Sequence, residues 1–150
     1  MRSVVAVVCL LLPLAAIADE RILNFDSEIR VVTSGMIEVT ETITVRSEGN
    51  RIKRGIYRDF PTEYEDRLGN EYKVAFKPLA VLRNDRAEAY HSQPIRRGVR
   101  TYFGSANRFV EPGVHTYTFR YSVSRMLGFF EGHDEFYYNV TGFDWAFPID

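Results

Sequence analysis

Ile37-Glu38-Val39-Thr40-Glu41-Thr42-Ile43-Thr44-Val45-Arg46 is the stretch that decides the fold class. Ile37, Val39, Glu41, Ile43 and Val45 share one side, and Glu38, Thr40, Thr42, Thr44 and Arg46 the other. This is the alternation of a half-buried strand, because successive side chains point to opposite faces of a sheet. The β-branched Val, Ile and Thr suit a pleated surface. Just upstream, Leu23, Phe25, Ser27, Ile29 and Val31 alternate with Asn24, Asp26, Glu28 and Arg30, and Thr33-Ser34-Gly35 supplies a turn between the two runs. The pair reads as a β-hairpin.

Downstream, Ser47-Glu48-Gly49-Asn50 closes the second strand. Residues 51–70 are less regular and carry Gly55, Pro61 and Leu68-Gly69-Asn70, a loop-rich excursion with one short strand over 55–60. Tyr72, Val74 and Phe76 alternate next, and Pro78 ends that run or places it at a sheet edge, since proline cannot donate to the ladder. Leu79–Leu82 runs into the turn composition Arg83-Asn84-Asp85-Arg86, and Val99–Phe103 is a short strand ending at Gly104. After the turn Glu111-Pro112-Gly113, the residues Tyr117, Phe119, Tyr121 and Val123 face one way and Thr116, Thr118, Arg120 and Ser122 the other. Phe136–Val140 reads as a further strand, and Trp145, Phe147 and Ile149 open one that the end of the chain interrupts. Roughly eight short strands, with turns about every 8–12 residues and no helical period, predict an all-β, immunoglobulin-like antiparallel sandwich.

The first eighteen residues stand apart. Arg2, the apolar run Val4–Leu14 and the small-x-small site Ala16-Ile17-Ala18 form a signal-peptide pattern over residues 1–18, leaving 19–150 as the extracytoplasmic β-domain. The uncharged run falls short of the roughly 20 residues a membrane-spanning helix needs. The single cysteine, Cys9, lies inside that leader, so cleavage after Ala18 leaves neither a disulfide nor a cysteine-based zinc site. All 11 Phe, 9 Tyr and the one Trp follow residue 18, so the domain relies on an aromatic-rich core. A net charge of −1 and a pI near 6.3 argue against a dedicated nucleic-acid binder, whose domain pI usually exceeds about 9. The chain reaches Asp150 in mid-pattern, which reads as a fragment of a longer product.

Motifs that carry chemistry are few. His133-Asp134-Glu135, beside Glu131, is the densest group of metal-ligand types, but adjacent strand residues diverge, and the stretch reads as a solvated turn. Ser92, Ser105, Ser122 and Ser124 lack a nucleophile-elbow context, and His91 and His115 stand alone. Asn139-Val140-Thr141 matches the glycosylation pattern by coincidence in a strand setting. Arg51, Lys53, Arg54 and Arg58 surround Ile56, Tyr57 and Phe60, while Asp59, Glu63, Glu65 and Asp66 offset their charge. A second basic group is Arg96, Arg97 and Arg100. Tyr117, Phe119 and Tyr121 read as core, and Tyr57, Tyr64, Tyr138 and Trp145 sit in less regular settings, where aromatic side chains serve as loop-pinning contacts or as sugar-stacking platforms.

Three stretches then carry a family resemblance: Glu20-Arg21-Ile22 through Val45, Gly55-Ile56-Tyr57-Arg58-Asp59-Phe60-Pro61, and Asp134-Glu135-Phe136-Tyr137-Tyr138-Asn139-Val140-Thr141-Gly142. They resemble the start of the predicted membrane proteins called domain of unknown function 2207, the YciQ-like proteins. Tyr138 stands where that family commonly has tryptophan, and Trp145 keeps the tryptophan after the glycine. The resemblance implies a signal peptide, an extracytoplasmic β-rich region and membrane spans further downstream; it brings no catalytic residues, cofactor or metal. The expected role is therefore a non-catalytic structural or protein-interaction domain at the cell envelope, with no nucleic-acid partner. Its candidate interaction residues are Arg54, Tyr57, Arg58, Asp59, Tyr138 and Trp145, with Arg54 and Arg58 offering donors to an acidic partner above Tyr57. A carbohydrate-binding module using Tyr64, Tyr138 or Trp145 is the second expectation, and a hydrolase using Asp134 or Glu135 the third.

Overall fold

The computed structural model describes residues 19–66, 68–142 and 145–150. The leader pattern over residues 1–18 lies outside them, as do Phe143 and Asp144. Twelve strands follow in chain order: β1 Arg21–Val31, β2 Ile37–Ser47, β3 Ile56–Pro61, β4 Glu63–Glu65, β5 Glu71–Lys73, β6 Phe76–Arg83, β7 Arg86–Ala87, β8 Tyr90–Ile95, β9 Gly98–Phe103, β10 Gly113–Val123, β11 Leu127–Phe130 and β12 His133–Phe136. All strand pairings are antiparallel, no described residue is helical, and no helix of the described residues is long and apolar enough to cross a membrane. The chain is all-β.

Two sheets build the core. The larger has the order β1-β2-β10-β6-β7, the smaller β3-β9-β8, and β4-β5 and β11-β12 are separate hairpins. The hairpin read from the sequence forms as expected, with Ile29 opposite Val39 and Phe25 opposite Ile43. One correction concerns β1: its register shifts between Ile22 and Asn24, so Ile22, not Leu23, is the fully buried side chain there. A bulge of this kind re-aims side chains by one position. Tyr117, Phe119, Tyr121 and Val123 of β10 are all completely buried, as their alternation requires. From the second sheet, Phe103 meets Phe119 with ring centroids 4.7 Å apart, and Phe60 stacks on Phe76 at 4.5 Å and 10°. Burying aromatic rings of this size contributes most of what a cysteine-free domain has to hold it together.

Other differences have local causes. Pro78 sits inside β6 at the place where the β6–β10 register shifts, and a bulge is where a residue without an N–H is tolerated. Asn84 and Asp85 both have positive φ, the two-residue turn that matches strand twist and joins β6 to β7. The strand expected over Phe136–Val140 is replaced by β12, which ends at Phe136; Gly142 N–H then donates to Asn139 Oδ1 at 2.9 Å in a turn. The expected last strand reduces to a parallel bridge between Ile149 and Ile22.

Candidate functional site

β3 presents two faces, and the sequence Ile56-Tyr57-Arg58-Asp59-Phe60 divides between them. Ile56, Arg58 and Phe60 point inward and are buried; Tyr57 and Asp59 point outward and are half-buried.

Arg58 therefore enters the core, where it is 3% exposed against a fully buried Glu41. Its Nε and Nη2 donate to the two Glu41 oxygens at 2.9 Å each. Nη1 donates to the Asp59 carbonyl at 3.2 Å and Nη2 to the Val140 carbonyl at 3.1 Å. The Tyr121 hydroxyl donates to Glu41 Oε1 at 2.7 Å, Tyr138 reaches the same oxygen at 3.3 Å, and the two hydroxyls touch each other. Phe25 and Trp145 flank the guanidinium at 5.7 and 5.6 Å, and the indole Nε1 donates to the Thr141 carbonyl at 2.6 Å. Burial opposes the Arg58 charge, but Glu41 beside it outweighs burial and holds the guanidinium above its ordinary value. Burial, then the Glu41 charge, pushes the Tyr121 and Tyr138 hydroxyls upward. Gly142 completes the enclosure: a Cβ there would sit 2.0 Å from Arg58 Nη1. Of the residues expected to face a partner, Arg58, Tyr138 and Trp145 are thus gathered into an internal node, with the Arg58 donors committed inside the fold.

The outward face of the same strand is different. Tyr57 lies beside Tyr102 of β9 at 5.8 Å, and Tyr102 stacks on His91 of β8 at 4.8 Å and 11°. Arg100 covers the Tyr57 ring at 3.9 Å and holds Asp59 through two 2.6 Å hydrogen bonds, which raise the arginine above its ordinary value. This run of rings borders a groove of about 450 Å³ lined also by Arg51, Lys53 and Arg54. The groove floor depends on two glycines. A Cβ on Gly55 would fall 1.7 Å from the Phe103 carbonyl oxygen, and one on Gly104 would fall 1.9 Å from that of Arg54. Only residues without side chains permit the β3 and β9 backbones to cross this closely.

Among the described residues none of Arg51, Lys53 and Arg54 forms a salt bridge. Arg54 lies over Phe109 at 4.7 Å and donates from Nε to the Ala106 carbonyl, while Arg51 lies over Phe147 at 4.8 Å. The loop carrying Arg51 is fixed by Glu20, whose carboxylate accepts the backbone N–H groups of Glu48, Asn50, Arg51 and Ile52 at 2.7–3.2 Å. Burial works against that charge, yet the four amides prevail and hold the carboxyl below its ordinary value. Arg54 and Tyr57 both line the groove, but it is Arg100 that covers the Tyr57 ring, while Arg54 lies over Phe109. Tyr102 and His91 complete the wall, and no alternation or motif in the sequence marks them for it.

His133, Asp134 and Glu135 occupy β12 in sequence, the first two exposed. Among the described residues no three His, Cys, Asp or Glu side chains gather as a metal would require.

Residues 21–150 match the family described as predicted membrane protein (DUF2207) N-terminal domain, and the chain belongs to that family. It is similar to the uncharacterized protein YciQ of Escherichia coli (strain K12), 27% identical over 131 residues, which make up 87% of this chain and 21% of that protein. The chain thus spans about a fifth of that relative's length. No solved structure matches it. Two of the three stretches that resemble that family meet in space, because Arg58 of 55–61 bonds the Val140 carbonyl and packs against Gly142 of 134–142.

Proposed function

We propose that this domain is a non-catalytic recognition module of the cell envelope, an immunoglobulin-like sandwich on the extracytoplasmic side of the membrane, and that its ligand is an acidic partner protein seated in the groove beside Tyr57. The groove carries this reading: three cations that form no salt bridge among the described residues stand around an aromatic wall, in a chain whose overall charge is −1. Cations without a carboxylate partner beside half-buried rings favour carboxylate-bearing ligands and speed their encounter. Asp59, the nearest acid of β3, is already neutralised by Arg100.

Fluorescence polarisation with labelled poly-L-glutamate tests it. Replacing Lys53 and Arg54 together by glutamate should weaken binding about tenfold or more, equivalent to about 1.4 kcal/mol, while the parent's binding weakens with added salt. Unchanged binding by the reversed variant removes the groove from the reading. The continuous ring surface of Tyr57, Tyr102 and His91 favours a second ligand, an acidic glycan. Binding of polygalacturonate in place of poly-L-glutamate, with loss on Tyr102→Ala, selects that alternative.

A further inference from the structure

The smaller sheet ends in an open edge next to the groove. Among the described residues β8 pairs only with β9, and five of its six residues are exposed. Two hydrogen bonds fix which backbone groups face outward. Thr62 N–H donates to the Arg97 carbonyl, so odd-numbered positions of the β9 segment turn toward β3; Gly104 N–H donates to the Ala89 carbonyl, so even-numbered positions turn toward β8. His91, Gln93 and Ile95, opposite Tyr102, Arg100 and Gly98, therefore bond inward. The N–H groups of Tyr90 and Ser92 and the carbonyls of Tyr90, Ser92 and Pro94 are left pointing away from the sheet, and none has a backbone partner among the described residues.

Charge brackets this edge. His91, near its start, shares the groove with Arg51, Lys53 and Arg54, and the turn that closes its far end is Arg96-Arg97. Neither turn arginine forms a salt bridge among the described residues, although Arg97 lies close enough to lower the Glu63 carboxyl, after the larger effect of Lys73. About five residues of extended chain, roughly 17 Å, separate the two basic ends. A second copy of β8 would bring like charges together at both ends, which disfavours self-pairing.

We infer that β8 is a strand-addition site for an extended segment of a partner protein with acidic residues at both ends and β-formers between them. The inference rests on the acidic-partner reading above and adds its mode of binding: main-chain hydrogen bonds to Tyr90, Ser92 and Pro94 supply affinity, and the two basic ends choose the sequence. Pro94 withholds the third donor, so the edge offers two N–H groups and three carbonyls.

The probe is an acetylated and amidated octapeptide, Glu-Glu-Val-Thr-Val-Thr-Glu-Glu, compared with two derivatives N-methylated on either the valine or the threonine amides. One set of amides faces β8 and the other faces solvent, so one derivative should lose at least tenfold in affinity while the other binds like the parent. The Tyr90 and Ser92 amides should exchange more slowly when the parent peptide is bound, and Ser92→Pro, which deletes an outward donor without altering charge, should lose about tenfold. Thermal melting of that variant separates a lost donor from a lost fold, and the methylated peptides need no variant at all. Equal effects of the two methylations, whether no loss or the same loss, overturn strand addition. Failure of the octapeptide at about 1 mM while poly-L-glutamate still binds also overturns it and leaves the groove reading standing; failure of both ligands overturns both.

Discussion

Replacing Glu41 by glutamine should cost more stability than replacing Arg58 by methionine, although each removes one member of the same pair. Both side chains are essentially out of solvent, and breaking such a pair from one side typically costs about 3–5 kcal/mol, because the remaining charge stays buried. The two remainders differ. Without Arg58, the Glu41 carboxyl keeps the Tyr121 and Tyr138 hydroxyls as partners, and methionine fills much of the space between Phe25 and Trp145. Without the Glu41 charge, Arg58 cannot shed its proton and keeps only neutral acceptors, the carbonyls of Asp59 and Val140 and the one of the glutamine side chain. Glu41→Gln should therefore fall near 4–5 kcal/mol and Arg58→Met near about 3. The double variant removes both charges and leaves the glutamine carbonyl to accept the tyrosine hydroxyls, so it should cost no more than about 2 kcal/mol, giving a coupling of several kcal/mol. Urea unfolding followed through Trp145, the chain's one tryptophan, reads all four corners of the cycle. Single variants within about 1 kcal/mol of the parent, or a double variant equal to the sum of the singles, would refute the buried-pair argument.

Two further outcomes depend on pH. Glu20 has a folded value held below its ordinary 4.5 by the 48–52 amides, so its contribution is complete above about pH 4.5 and is lost as pH falls through the lower folded value. Glu20→Gln should accordingly lower the urea midpoint at pH 7 and leave it nearly unchanged at about pH 3; an equal gap at both pH values would show that the loop does not hold the charge. At the alkaline end, burial pushes Tyr64 and Tyr117 up to about 12 from an ordinary 10.0, and Tyr121 and Tyr138 are raised as well. Raised values mean stability that is complete below about pH 10 and is lost as pH climbs through them, so tyrosinate absorbance near about 295 nm should lag that of the urea-unfolded chain until the fold gives way. Superimposable native and unfolded titrations would contradict the burial of these hydroxyls.

The sequence made the larger sheet legible because β1, β2 and much of β10 alternate more buried with less buried positions, and alternation is then forced. β8 left no such trace: an edge strand with nearly every side chain exposed has no buried face to enforce a period. The run Phe136–Val140 misled in the opposite way, because Tyr138 is spent on the arginine node and not on a sheet face, while Phe136 ends β12 and Tyr137 stays 78% exposed.

Arg58 and Glu41 are the most instructive case. Read as composition, Arg58 belonged to a basic stretch with Arg51, Lys53 and Arg54, and a basic stretch suggests a surface. Read by position, it interrupts the inward row Ile56-x-Arg58-x-Phe60, and Glu41 interrupts the inward row Ile37-x-Val39-x-Glu41-x-Ile43-x-Val45. One charge on an apolar face is a liability that desolvation makes expensive. Two such interruptions of opposite sign, on strands of facing sheets, each supply what the other lacks, and the cheapest arrangement joins them across the core. The same parity that sends Arg58 inward sends Tyr57 and Asp59 outward, toward Tyr102 and Arg100. The groove and the node are thus two sides of one strand, and a one-residue slip of β3 would bury Tyr57 and Asp59 and empty both.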